Sequence, residues 1–152
     1  MRVRDVMSRG VETITPAEPA HAAIRRMVAR KVRHLPVVDG DHALVGIVTD
    51  RDLRHYLFSP EVFAKIGRVS SDELLKAATV KQVMSSPPVS VRADDDLETA
   101  ARLMVVRKIG SLPVVDGGRV VGILTETDLL RQIVQSEEAR TPESEAIVVS
   151  FP

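Results

Sequence analysis

The chain has 152 residues, 44% of them apolar, and its twenty-one basic and twenty-one acidic side chains cancel. That length suits one compact domain or two half-sized units sharing a core, and the apolar share excludes a disordered chain. No basic surplus exists to neutralise a phosphate backbone, and three Phe, one Tyr and no Trp give few rings for stacking bases, which argues against nucleic acid.

With no cysteine, disulfide and thiolate chemistry are excluded. The start, Met1-Arg-Val-Arg-Asp5, has no apolar signal core, and no apolar run nears membrane-spanning length. The expected location is therefore the cytoplasm.

In chain order, Val3-Arg-Asp-Val-Met-Ser8 comes first, followed by a short strand expected over Val11–Ile14. Thr15-Pro16-Ala17-Glu18 has the form of a capping box with Pro at the first helical position, so a helix is expected to start there. Ala20, Ala23, Ile24, Met27 and Val28 supply its apolar face. Leu35–Val38 and Leu44–Val48, joined by Asp39-Gly40-Asp41, form the pattern of a hairpin. Thr49-x-x-Asp52 then opens a second helix. A linker follows over about 59–79, with one helix expected at Glu61–Ile66 and a better one after Ser70, whose partner is Glu73.

Then the sequence repeats itself. Val80-Lys-Gln-Val-Met-Ser85 matches the opening, Val89–Val91 the first strand, and Leu97, Ala100, Ala101, Met104 and Val105 the helix face. Arg92-Ala93-Asp94-Asp95 stands at this helix start, where a good capping side chain is expected to be missing. Leu112-Pro-Val-Val-Asp-Gly117 repeats Leu35-Pro-Val-Val-Asp-Gly40. Gly122-Ile-Leu-Thr-Glu-Thr-Asp-Leu129 repeats Gly46-Ile-Val-Thr-Asp-Arg-Asp-Leu53. The copies keep one register to Gly117 and slip by one residue before Gly122. Residues 137–152 are polar and then apolar, and suit either an added edge strand or an arm reaching a partner.

The expected fold class is α+β, two β-α-β-β-α units packed about a pseudo-two-fold axis. Repeat 1 is placed at 1–58, the linker at 59–79, repeat 2 at 80–136 and a tail at 137–152. Two copies are too few for a solenoid, and each alone would expose the apolar face of its sheet.

The ordered set Val-Met-Ser, Leu-Pro-Val-Val-Asp-Gly and Gly-Ile-(Val/Leu)-Thr-x-x-Asp-Leu, present twice, resembles a tandem pair of cystathionine-β-synthase (CBS) domains, the Bateman module. It covers about Val3–Leu57 and Val80–Val134. The resemblance implies a regulatory module with no catalysis of its own. Such a module binds an adenosine-containing ligand, such as AMP, ADP, ATP or S-adenosylmethionine, in clefts between repeats. No further cofactor is required. A homodimer and a regulated protein partner are also implied. The length leaves no room for an attached enzyme, so a free-standing module is expected.

The resemblance also implies the sites. One cleft would combine Thr125 and Asp128 with Thr15, Ala20, Val32, Arg33 and His34. A second would combine Thr49 and Asp52 with Arg92, Leu97, Ile109, Gly110 and Ser111. A carboxylate accepts hydrogen bonds from both ribose hydroxyls, and a Thr at a helix N-terminus suits a phosphate. On spacing alone each Thr-x-x-Asp is a helix cap, and one residue can serve both purposes. The first cleft is favoured, because it has the expected Thr15-Pro16 and adds Arg33 and His34 to meet phosphates. In the second, Arg92 departs from the pattern and either binds a phosphate or fills the pocket.

Other chemistry finds no support. His21, His34, His42 and His55 lack metal-ligand spacing, Asp94-Asp95-Asp96 fits an acidic first helical turn, and no phosphate loop or nucleophile elbow is present. The alternative is a structural or interaction protein whose clefts stay empty.

Overall fold

The computed structural model describes residues 1–65 and 67–140. Repeat 1 contains α1 (Ala20–Arg30), β1 (His34–Val38), β2 (Leu44–Thr49) and α2 (Asp50–Leu57). Two linker helices, α3 (Pro60–Phe63) and α4 (Ser71–Ala77), lead to repeat 2. That repeat contains α5 (Val80–Val83), β3 (Val91–Arg92), α6 (Leu97–Arg107), β4 (Ser111–Asp116), β5 (Arg119–Thr125) and α7 (Glu126–Glu138). A single 3₁₀ turn at Val3–Asp5 is the counterpart of α5. Mixed helices and small sheets make this an α+β fold.

The hairpins form where the β-branched runs predict. β1 pairs antiparallel with β2, and β4 with β5, and both ladders carry an irregularity at the matched positions Val37/Val38 and Val114/Val115. Leu35 and Leu112 are fully buried. The opening strands are shorter than expected. Val91 and Arg92 run parallel to Val114 and Val115, while in repeat 1 a single bridge joins Ile14 to Val37. In repeat 1 the carbonyl of Thr13 accepts from the Arg26 guanidinium (3.0 Å).

The expected start of the first helix is displaced. Glu18 does take the Thr15 N–H (2.8 Å), yet α1 begins at Ala20 behind Pro19, with no side-chain cap. The intervening carbonyls are engaged elsewhere: those of Pro16 and Glu18 accept from the N–H groups of Lys81 and Val80 (3.0 and 2.8 Å). Repeat 2 reverses the expectation, since α6 is capped by Asp96, which accepts from Thr99 N–H (3.1 Å). Asp95 binds the Arg92 N–H (2.8 Å), so the acidic triplet precedes the helix and shapes its entry. In the linker, Ser70 caps α4 by accepting from Glu73 N–H (3.2 Å). α3 ends at Phe63, short of the expected Ile66, which lies outside the described residues, as does the apolar stretch 146–149 of the tail.

Two apolar cores result, and each draws on both halves of the sequence. One gathers Ile14, Ala20, Met27, Leu35 and Val48 with Leu75, Ala78, Val80 and Val83 from the linker and the opening of repeat 2. The other gathers Val91, Met104, Leu112 and Leu124 with Val3 and Met7 from the opening of repeat 1. The repeats have exchanged their first segments. Ser8 and Ile123 trade backbone hydrogen bonds (2.9 and 3.0 Å), as do Ser85 and Ile47 (2.9 and 3.1 Å). Met7 lies on Gly122 and Met84 on Gly46, so closely that a Cβ at either glycine would stand 2.7 Å from the sulfur. The Val-Met-Ser of one repeat and the Gly-Ile of the other are thus two halves of one contact.

Candidate functional site

The segment exchange opens a cleft on either side of the pseudo-two-fold. The first, about 780 Å³, lies between the N-terminus of α7 and the turns Ser8–Glu12 and Arg30–His34. The second, about 620 Å³, lies between the N-terminus of α2 and the turns Ser85–Val89 and Lys108–Ser111.

Each cleft has a Thr-x-x-Asp at its floor because β2 and β5 both end on threonine and turn directly into a helix. Thr125 and Asp128 form a reciprocal cap: Asp128 N–H donates to Thr125 Oγ1 (3.2 Å), and Thr125 N–H donates to Asp128 Oδ2 (2.8 Å). Thr49 and Asp52 do the same at 3.1 and 2.9 Å. Both pairs therefore cap helices, as spacing predicts, and both line the clefts. Each threonine oxygen accepts in its cap, which leaves its proton to donate.

The two carboxylates differ in their second oxygen. Ser85 Oγ donates to Asp52 Oδ1 (2.9 Å). Among the described residues no matching bond joins Ser8 to Asp128, whose Oδ1 stands 3.9 Å from the Arg131 guanidinium. Asp128 keeps 10% of its side chain exposed.

Of the residues expected in the first cleft, Val32, Arg33, His34, Thr125 and Asp128 line it. Thr15 and Ala20 do not: the Thr15 amide and hydroxyl both donate to Glu18, and Ala20 is fully buried in the core. In the second cleft Thr49, Asp52, Ile109, Gly110 and Ser111 are present. Arg92 and Leu97 are absent from it, Arg92 being exposed beside Asp95 and Leu97 packing on the core of repeat 2. Arg92 therefore neither meets a phosphate in the second cleft nor fills it, the two roles expected of it. The chain reaches each cleft earlier than the helix start, immediately after the exchanged Val-Met-Ser. Arg9, Gly10 and Val11 are the residues that reading missed, with Lys31 and Arg131. The doubled Val-Met-Ser was the signal, but its contact with the other repeat was not visible in it.

Lys31 and Lys108, in matched left-handed conformations (φ 54° in both), end α1 and α6 and turn the chain into the clefts. The first cleft is lined by Arg9, Arg30, Lys31, Arg33 and Arg131 against Glu12, Glu126 and Asp128, an excess of positive charge suited to an anion. Arg30 pairs with Glu12 (3.4 Å). Between the clefts His34 Nδ1 meets Ser111 Oγ at 3.0 Å, the two being counterparts in the repeat. Burial holds the His34 pKa below the ordinary histidine value, against the opposing pull of Asp50 and Glu126. Among the described residues no three His, Cys, Asp or Glu side chains group to hold a metal ion, and no helix is long and apolar enough to cross a membrane.

Comparison with known proteins gives a consistent result. The CBS domain family matches residues 3–59 and 80–135. A CBS domain-containing protein of Dictyostelium discoideum is 36% identical over 143 residues, covering 93% of this chain and 97% of that one. The crystal structure of CBSX2 in complex with AMP superposes with a TM-score of 0.72 at 32% identity, over 90% of this chain and 98% of the other. Chloroplastic CBSX2 of Arabidopsis thaliana is 32% identical over 84% of this chain and 60% of its own. The CBS domain pair of protein MJ0100, solved with 5′-methylthioadenosine and S-adenosylmethionine, gives 0.72 at 25% identity over 90% and 98%. Elsewhere the matched stretch is part of a longer chain: 24% of the homoserine O-acetyltransferase of Methanohalobium evestigatum, and 47% of protein MJ1225 of Methanocaldococcus jannaschii. Two family matches in tandem, the pseudo-symmetric fold and the clefts between its halves lead to one conclusion: the chain belongs to the CBS-domain family.

Proposed function

We propose that this chain is a regulatory module without catalytic activity of its own, which binds an adenosine-containing ligand in the cleft at Asp128. The observation that carries the reading is the state of that carboxylate. One oxygen is fixed on the Thr125 N–H, which sets its orientation, and the other faces a cleft rich in arginine and lysine. Two ribose hydroxyls donating to it would form charge-assisted hydrogen bonds worth about 1.5–3 kcal/mol each. Val11, Val32 and Ile123 offer apolar surface to the base. The N-terminus of α7, with Arg9, Lys31 and Arg131, suits the phosphate or other polar end. The ligands of CBSX2 and the MJ0100 domain pair are adenosyl compounds, which supports the class.

The bound ligand touches both repeats, and so stabilises whichever arrangement it binds more tightly. A cytoplasmic homodimer whose shape responds to the ligand, read by a protein partner, completes the proposal. Thermal-shift measurements with AMP, ADP, ATP and S-adenosylmethionine test it. At least one should raise the melting temperature of the wild type, and Asp128→Ala should weaken that response at least about tenfold in concentration. No shift with any of them at millimolar concentration contradicts the proposal and favours a purely structural role with empty clefts.

A further inference from the structure

The two clefts share a wall. Arg33, His34, Gly110 and Glu126 line both. The wall's backbone is tied down on each side: the carbonyl of Arg33 accepts from Asp50 N–H (3.1 Å), and that of Gly110 from Glu126 N–H (3.0 Å). The His34–Ser111 bond joins the halves. Two long side chains on this wall are exposed, Arg33 and Glu126, and Arg33 alone of them is cationic.

The repeat makes this asymmetric. Arg33 has Gly110 as its counterpart, so the wall carries one guanidinium where a faithful duplication would carry two. Each cleft has cations of its own, among them Lys31 and Arg131 in the first and Lys108 and Arg54 in the second. Among the described residues Arg33 is the one arginine or lysine common to both. A guanidinium binds a phosphate through a fixed fork of N–H donors, and one fork cannot face two ways. With Arg33 drawn into one cleft, the wall presents the Glu126 carboxylate to the other, and a second bound phosphate would also face the charge of the first.

We infer that Arg33 is a phosphate anchor shared by the two clefts, and that it makes them compete for phosphate-bearing ligands. The inference rests on the nucleotide reading above. Occupation of the first cleft by a nucleotide weakens nucleotide binding in the second, and by linkage the reverse holds to the same factor. A ligand without phosphate escapes the competition.

Calorimetric titration of the full chain with AMP and with adenosine tests this, comparing wild type with Asp128→Ala, in which the first cleft is disabled. The second cleft should bind AMP about tenfold more tightly in Asp128→Ala than in wild type already filled at the first cleft. With adenosine the two affinities should agree. Arg33→Ala should remove the difference for AMP while leaving the melting temperature unchanged, and Arg33→Lys should retain part of it. Equal AMP affinities in wild type and Asp128→Ala overturn the inference. So does a difference that persists in Arg33→Ala or is as large with adenosine. A second cleft that stays silent in Asp128→Ala overturns the inference but leaves the nucleotide reading of the first. Absence of AMP binding to the wild type overturns both.

Discussion

At Gly122 the difference between glycine and alanine is one methyl group, and there is no room for it. A Cβ would stand 2.7 Å from Met7 Sδ and 3.0 Å from the Ser8 carbonyl. The sulfur can move, but the carbonyl is held in the exchanged backbone pair with Ile123. Gly122→Ala should therefore cost about 1–3 kcal/mol by overpacking, a fall of roughly 2–4 °C in melting temperature per kcal/mol. Gly40→Ala, where nothing lies within 4 Å, serves as the control and should change little. His34 yields a second expectation at this scale. Its folded-state pKa lies below the ordinary value, chiefly through burial, so the folded protein binds fewer protons than the unfolded chain. Its contribution to stability is complete above the unfolded value of about 6.5 and is lost as pH falls through the lowered one. The urea midpoint should drop between pH 7.5 and 5.5, and His34→Gln should flatten that part of the profile. Both motifs of the Met7–Gly122 contact stand plainly in the sequence. Their meeting does not, because the duplication alone gives no sign that a sulfur from one copy fills the space over a glycine of the other.

Among the elements, the hairpins and the helices after Thr49 and Thr125 were legible, because Val-rich runs and capping boxes are local signals. The starts of α1 and α6 were not. Thr15-Pro16-Ala17-Glu18 satisfies every local rule for a helix start, yet the carbonyls of Pro16 and Glu18 pair with the opening of repeat 2. Glu18 serves Arg26 as well as Thr15, and the Arg26 guanidinium hydrogen-bonded to it holds its carboxyl below the usual range. One repeat later the cap is Asp96, three residues before the Thr99 N–H it accepts. Asp96→Ala should cost about 1 kcal/mol, read as a lower urea midpoint with an unchanged slope. Asp94→Ala, on the same exposed entry but outside the cap, should cost less.

For the whole molecule, the exchange of opening segments ties the repeats into one folding unit and positions the turns Ser8–Glu12 and Ser85–Val89 in the clefts. Pseudo-symmetry and the Thr-x-x-Asp at each cleft floor followed from the duplication and the family resemblance. What ranks the clefts lies elsewhere than Arg92: Asp52 is engaged by Ser85, while Asp128 has no such bond from Ser8 among the described residues. That difference depends on which side chains the exchange brings together, and a repeat read copy against copy does not reveal it. The central claim is that Asp128 receives the ribose of an adenosine ligand between the two repeats. A crystal structure of the full chain with AMP tests it most directly. The ribose hydroxyls should lie within hydrogen-bond distance of Asp128, with the phosphate toward α7 and Arg33. AMP bound away from Asp128, or clefts left empty at saturating AMP, would contradict it.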